Sequence, residues 1–149
     1  LVRYYLLALA SNVVKSVYWH QLIAPGYGLI DNRNNALIKY PAYQTFKVML
    51  NQLQGATFFD LNIEENIYIA IFHKQVSDQI ESIDAQKIEV IWSTENTDKT
   101  IDINPKTQQL VLRDGSTKIT KSVKISESPI YLVTDETINH SNSANASIQ

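Results

Sequence analysis

The spacing of hydrophobic side chains divides the chain into a short helical part and a longer part with strand character. Leu1–Val14 is almost wholly apolar, with Arg3 as its one charge, which predicts a helix buried on more than one side. Val17–Leu22 is short, β-branched and aromatic, and Pro25-Gly26 follows it. This pattern predicts a strand.

A long loop and a second helix follow. Ala24–Tyr40 holds two glycines, one proline and an Asp/Asn-rich cluster, so it is predicted to be a loop. Pro41 suits the first position of a helix, where its missing N–H costs nothing, and Gly55 suits the end. One apolar stripe at helical spacing lies between them: Tyr43, Phe46, Leu50 and Leu53.

The remainder consists of short β-rich runs separated by turn-forming residues, with no helical pattern among them. Asp114-Gly115-Ser116 suits a hairpin, and Ser77–Ala85 has no clear pattern and is open to interpretation as a loop. Several short strands at this spacing predict an antiparallel sandwich. The predicted strands are Thr57–Asn62, Ile67–His73, Lys87–Ser93, Thr100–Ile103, Gln109–Arg113, Ser122–Ile125 and Ile130–Thr134.

The first part cannot form a closed core from its own elements. A lone strand between two helices leaves its backbone donors and acceptors unpaired on both edges, so residues 1–55 are expected to be a slice of something larger. The predicted division is a slice over 1–55, a β-sandwich over 56–136 and a tail over 137–149. Because the end of that tail is small and polar, it is predicted to be disordered.

Composition narrows the possible functions. The chain has 149 residues, 44% hydrophobic and 19% charged, with a formal net charge of −2. That charge is too small to indicate nucleic acid or an anionic membrane as a partner. Cysteine is absent, and the histidines and acidic residues show no metal-ligand spacing. With no phosphate-binding glycine-rich loop either, the sequence predicts no metal and no cofactor.

Several segments, taken in order, resemble the C-terminal end of (β/α)8-barrel retaining glycoside hydrolases. Arg3–Leu9 followed by Val17–His20 resembles helix seven and strand eight of the barrel, and Pro41-Ala42-Tyr43 resembles the start of the closing helix. Val90–Thr94 and Ser128–Leu132 resemble strands of the β-sandwich that follows the barrel in many of these enzymes. The resemblance implies an α/β fragment, the last helix–strand–helix of a barrel, followed by an all-β antiparallel sandwich that acts as a clamp on the barrel.

The resemblance also implies which chemical groups belong to this chain. Such glycosidases use two carboxyl groups, an acid/base and a nucleophile, which in the family lie at the ends of strands four and seven. A chain that begins after strand seven has neither, so we predict no catalytic residue here and no activity of the chain alone. The parent protein is expected to hydrolyse O-glycosidic bonds in an oligo- or polysaccharide.

Trp19 and Gln21 are the predicted substrate-binding residues. A tryptophan commonly ends strand eight in the family, and an indole face can stack on a sugar ring. In a regular strand Gln21 would share the face of Trp19 and could donate to a sugar hydroxyl. The alternative for Trp19 is an ordinary core tryptophan. For the cluster that starts at Asp31 and includes Arg33, contact with substrate and a solvated turn are both possible, and the turn is favoured.

A second function remains open: a non-catalytic β-sandwich that binds carbohydrate or a protein. It predicts a row of exposed aromatic side chains on one sheet face, whereas Trp92 and Tyr131 are expected in the core. For the leading interpretation, the expected partner is a carbohydrate substrate of the full-length parent. The exposed apolar surface of a barrel slice also predicts that the isolated chain self-associates.

Overall fold

The structure, a computed structural model, describes residues 1–78, 82–106 and 108–139. This part of the chain contains two α-helices, one short 3-10 helix (Arg33–Asn35) and ten strands. The α-helices are α1 (Val2–Ala10) and α2 (Pro41–Leu53). The strands are β1 (Ile30–Asp31), β2 (Ile38–Lys39), β3 (Ala56–Glu64), β4 (Ile67–Asp78), β5 (Ser82–Ser93), β6 (Thr100–Asp102), β7 (Gln108–Val111), β8 (Thr117–Lys118), β9 (Ser122–Lys124) and β10 (Ile130–Asn139).

Six of these strands form one antiparallel sheet in the order β3-β4-β5-β10-β7-β8. Strands β6 and β9 pair separately as a two-stranded ribbon, and β1 and β2 form a second small pair. The fold is therefore mostly antiparallel sheet with two short helices, and the predicted antiparallel, sandwich-like β domain is confirmed at that level.

Side chains alternate along each strand, so the large sheet contributes residues to two hydrophobic clusters, one on each face. Strand β5 shows this directly: Ile88, Val90 and Trp92 are at most 1% exposed and belong to one hydrophobic cluster, while Ile91 belongs to the other. The first cluster includes Val2, Tyr5, Leu6, Val48 and Met49 of the helices. The second includes Ile103 and Ile125 beside the ribbon. The sheet thus has α1 and α2 on one face and the ribbon on the other.

The two large aromatic residues predicted for the core lie there. Trp92 is 1% exposed, Tyr131 is 0% exposed, and the Trp92 ring stacks on Tyr68 at a centroid distance of 5.2 Å. The Tyr131 hydroxyl has no hydrogen-bond partner among the described residues, and burial raises the pKa of its phenol well above the usual value. The core of the sheet therefore depends on aromatic packing more than on polar contacts.

Both helices form, but their details differ from the prediction. Helix α1 ends at Ala10 rather than Val14 because Ser11 caps it and Asn12 adopts a positive φ of 55°. Helix α2 begins at Pro41 and is followed by Gly55 with a φ of 75°, as predicted. Its buried residues are Val48 and Met49. Of the predicted stripe, Phe46 and Leu53 are half-buried and pack against the same cluster, whereas Leu50 is exposed.

Turn chemistry accounts for the hairpin between β7 and β8. Gly115 has a φ of 89°, a conformation that glycine adopts without steric cost. The Asp114 carboxylate accepts hydrogen bonds from the Ser116 N–H at 2.9 Å and the Ser116 hydroxyl at 2.7 Å. The hairpin predicted at this tripeptide is confirmed.

The strand predicted over Val17–Leu22 does not form. This segment is irregular, and the pairing nearest to it is a single parallel bridge between Ile23 and Ile30. Strand propensity alone does not make a strand, because the backbone needs a neighbour to complete its hydrogen bonds. The structure therefore does not show the helix–strand–helix slice of a barrel.

Two strands are longer than predicted. Within Ser77–Ala85, β4 extends to Asp78 and β5 begins at Ser82, so a loop over the whole stretch is wrong; residues 79–81 lie outside the described part. Strand β10 continues to Asn139 and so enters the range predicted as a disordered tail. The rest of that range, residues 140–149, lies outside the described part of the chain.

Within the ranges that the structure describes, no helix has the length and hydropathy needed to span a bilayer. The longer of the two helices, α2, has 13 residues.

Candidate functional site

The two predicted substrate-binding residues lie in the irregular segment between α1 and β1. The Trp19 side chain is 41% exposed, so it is not a core tryptophan in this structure. Gln21 is also exposed and adopts a positive φ of 60°. Because no strand forms here, the prediction that Trp19 and Gln21 share a strand face is wrong for this structure.

The structure brings Gln21 together with two aromatic residues. The Tyr27 hydroxyl donates a hydrogen bond to Gln21 Oε1 at 2.8 Å. The His20 and Tyr27 rings stack with a centroid distance of 6.4 Å and an interplanar angle of 5°. With its carbonyl oxygen engaged, Gln21 presents its amide N–H groups as donors. Trp19, His20, Gln21 and Tyr27 thus supply aromatic faces and amide donors within one surface loop.

Backbone hydrogen bonds close this loop at its base. The N–H groups of Leu29 and Ile30 both donate to the Leu22 carbonyl, at 2.9 and 3.0 Å, and the Ala24 N–H donates to the Ile30 carbonyl at 3.0 Å. Gly28 sits inside the turn, where an added Cβ would come within 2.4 Å of the Ala24 nitrogen. Only glycine fits at that position without a backbone shift.

Asp31 follows directly and is buried, with 4% exposure. The Arg33 guanidinium donates to both of its carboxylate oxygens, with Nε at 3.1 and 2.9 Å. The Arg33 N–H and the Tyr40 hydroxyl donate as well, at 2.9 and 2.7 Å. The preference for a solvated turn is therefore wrong for Asp31. Its spacing to Arg33 was visible in the sequence, but the contribution of Tyr40 was not.

These contacts determine how the cluster responds to pH. The hydrogen bonds from Arg33, and then that from Tyr40, hold the pKa of the Asp31 carboxyl well below its usual range. Because the folded-state pKa lies below that of the unfolded chain, the stabilisation is complete above roughly pH 4. It is lost as the pH falls toward the folded-state pKa.

The sequence contains two pairs of adjacent carboxylates, Glu64-Glu65 and Asp135-Glu136. Glu65 pairs with Lys99 at 2.7 Å, at the turn between β3 and β4. Asp135 accepts a hydrogen bond from Gln86 at 2.9 Å, whereas Glu136 lies 3.8 Å from His73. Asp135 and Glu136 therefore have different partners, as expected for strand neighbours on opposite faces. In the described ranges no three His, Asp or Glu residues cluster as metal ligands.

Comparisons with known proteins add one finding about the fold. No family model matches the sequence, and no curated protein matches it. In a solved structure, a family 39 glycoside hydrolase from the gut symbiont Bacteroides cellulosilyticus WH2 resembles the chain with a TM-score of 0.65 at 20% sequence identity. The match covers 89% of this chain and 29% of that chain. At this identity the likeness is one of fold, and this chain spans less than a third of that enzyme.

Proposed function

We propose that this chain is the C-terminal part of a glycosidase that hydrolyses O-glycosidic bonds in an oligo- or polysaccharide. In this proposal residues 1–55 complete a (β/α)8 barrel, and residues 56–136 form a sheet domain that clamps its flank. The catalytic carboxylates belong to a part of the parent outside this chain. The carbohydrate substrate binds to the full-length parent, and no cofactor takes part.

The distribution of exposed apolar side chains carries this proposal. Among the residues whose exposure the structure describes, the exposed large hydrophobic residues lie in the first 50 residues, except Phe59, Ile63 and Ile119. Extensive exposed apolar surface marks a face that another element covers. The likeness to a glycoside hydrolase over 89% of the chain supports the rest of a barrel as that covering element.

This exposed surface leads to a prediction for the isolated chain. We expect the 149-residue protein to self-associate at micromolar concentration, as measured by sedimentation velocity, because burial of apolar area drives association. Val13→Lys combined with Leu37→Lys should weaken the association, since these side chains are 82% and 67% exposed. Ile119→Lys is the matched control, because Ile119 is 94% exposed but lies outside the first 50 residues. This variant should change the association little. A compact monomer at all concentrations would contradict the proposal.

In the full-length enzyme Trp19 is the proposed platform for a sugar ring and Gln21 a donor to a sugar hydroxyl. Trp19 is 41% exposed, and the nearby Gln21 amide is oriented by Tyr27. Stacking on an indole orients a sugar without using its hydrogen bonds. The loop thereby binds and orients the substrate, while the carboxyl chemistry takes place on other barrel strands.

Trp19→Ala tests this role in the full-length product of the gene. We expect kcat/KM on an aryl glycoside or oligosaccharide substrate to fall about fivefold, because aromatic stacking contributes about 1 kcal/mol and each 1.36 kcal/mol changes a rate about tenfold. Phe59→Ala is the matched control, since Phe59 is an exposed aromatic on the distant edge strand β3. It should leave kcat/KM unchanged.

Two results would count against the proposal. Hydrolysis of an aryl glycoside by the purified 149-residue chain would place the catalytic groups within it. Equal activity of Trp19→Ala and wild type would remove the binding role of the loop.

The alternative function, a non-catalytic binding module, has weaker support. It requires a row of exposed aromatic side chains on a sheet face, and along the strands that the structure describes the exposed aromatic is Phe59. Calorimetric titration of the chain with a panel of glycans separates the two functions. Saturable binding to the chain by itself would favour the module.

A further inference from the structure

The loop that carries Trp19, Gln21 and Tyr27 is anchored at one end by a buried charge. Strand β1 forms its base, where Ile30 bridges Ile23 and the N–H groups of Leu29 and Ile30 bond to Leu22. These contacts are short and local, and the pair of strands β1 and β2 has only two residues in each. So small a pair needs additional support to hold one conformation.

Asp31, the last residue of β1, provides this support. Its carboxylate is bonded on both oxygens by Arg33, and charge-assisted bidentate contacts are the strongest and most directional hydrogen bonds of this kind. Tyr40 holds the same strand in two ways: its hydroxyl donates to Asp31 at 2.7 Å, and its N–H donates to the Leu29 carbonyl at 3.0 Å.

Tyr40 also joins the loop to a rigid element. It directly precedes Pro41, the first residue of α2. Further along α2, Gln44 donates to the Asp114 carbonyl at 3.1 Å, so the helix is itself tied to the β7–β8 hairpin. A displacement of Asp31 therefore frees the base of the loop from the helix that fixes its position.

The opposite end of the loop is where sugar contact is proposed. Between Leu22 and Ile30 the chain turns through Gly28, which leaves no room for a side chain, and this turn places Tyr27 against Gln21 and His20. The Gln21 contact therefore depends on the closed turn, and the closed turn depends on its base at Ile30.

Building on the proposed function, we propose that Asp31 is a positioning residue. Its buried carboxylate locks Arg33 and Tyr40 onto β1 and so holds the turn that presents Gln21 and Trp19 to the substrate. Asp31 makes no contact with the sugar. It acts on substrate binding through the shape of the loop, and not on the chemical step.

Asp31→Asn in the full-length gene product tests the proposal with two readouts. The first is hydrogen exchange of the Leu29 and Ile30 amides, which report opening of the turn. We expect exchange to accelerate about tenfold or more, because an amide cannot accept the bidentate pair as a carboxylate does. The second readout is the separate measurement of KM and kcat: KM should rise about tenfold, while kcat should stay within about twofold of wild type.

Asp98→Asn is the matched control. Asp98 is another carboxylate whose pKa is lowered by a hydrogen bond, that from Lys124, and it takes no part in the contacts that join the sugar-binding loop to α2. This variant should alter neither the exchange of Leu29 and Ile30 nor KM. If Asp31→Asn fails to fold, Tyr40→Phe removes one of the hydrogen bonds and should shift both readouts in the same direction by a smaller amount.

The outcomes separate this inference from the proposed function. Unchanged exchange at Leu29 and Ile30, or an equal change in Asp98→Asn, would overturn the anchoring role whether or not the protein is an enzyme. If Asp31→Asn shows faster exchange with unchanged KM, while Trp19→Ala does impair turnover, the anchoring role stands and the link from Asp31 to substrate binding is overturned. A wild-type protein without glycosidase activity would defeat the proposed function, while the exchange experiment would still decide the anchoring role.

Discussion

Trp92→Ala is expected to lower the free energy of unfolding by about 3–5 kcal/mol, whereas Trp19→Ala should change it by less than about 0.5 kcal/mol. The two tryptophans differ in burial: Trp92 is 1% exposed and stacks on Tyr68, while Trp19 is 41% exposed. Removing a buried indole loses its transfer free energy and leaves a cavity. The first change therefore threatens the whole fold, and the second affects only the loop surface.

Urea denaturation followed by circular dichroism measures both variants under one condition. The slope of the unfolding free energy against urea concentration should be similar for wild type and Trp19→Ala, which would indicate that both expose a similar surface area on unfolding. Equal destabilisation by the two substitutions would mean that Trp19 is also a core residue, and the proposed sugar platform would fail with that result.

Deleting residues 1–55 is expected to abolish cooperative folding of the remaining sheet. Helices α1 and α2 contribute Leu6 and Met49, among others, to the cluster that covers Phe72, Val90 and Tyr131. Without the helices this face of the sheet would be exposed to water, and a broad exposed apolar face favours aggregation over a folded monomer. The sheet domain and the preceding segment would then be separate in sequence but joined through one core.

Thermal unfolding of the fragment, with binding of a hydrophobic dye, measures this effect. Single substitutions at two neighbouring residues of α1 test the same helix–sheet contact within the intact chain. Leu6→Ala should cost about 2–5 kcal/mol, because Leu6 is fully buried, while Leu7→Ala should cost little, because Leu7 is 42% exposed. A fragment that unfolds cooperatively, with Leu6→Ala as mild as Leu7→Ala, would show that residues 56–136 fold independently as the sequence division predicts.

Much of the sheet could be predicted because its signals are local. Alternation along β5 identifies both buried faces, and Gly115 marks the β7–β8 hairpin through a backbone conformation that few other residues adopt. Pro41 and Gly55 bound α2 for similar reasons. In each case the residue that gives the signal is also the one that determines the local structure.

Other features depend on partners that sequence spacing does not reveal. Val17–Leu22 has the composition of a strand but lacks a neighbour to pair with, so it is irregular here. The burial of Asp31 depends on Tyr40, nine residues away in an aperiodic loop. The face that α2 buries is set by its contact with the sheet, so Val48 and Met49 rather than Leu50 point inward. The roles of Trp19 and Gln21 in binding substrate remain predictions.

The coding sequence upstream of Leu1 decides whether this chain is the end of a glycosidase. We expect roughly seven further β–α units in the same reading frame, as a (β/α)8 barrel requires. Asp or Glu should stand at the ends of the fourth and seventh strands, where the carboxyl pair of a retaining glycosidase is needed. A start codon directly before Leu1, or an upstream barrel without those carboxylates, would contradict the claim that this chain belongs to a glycosidase.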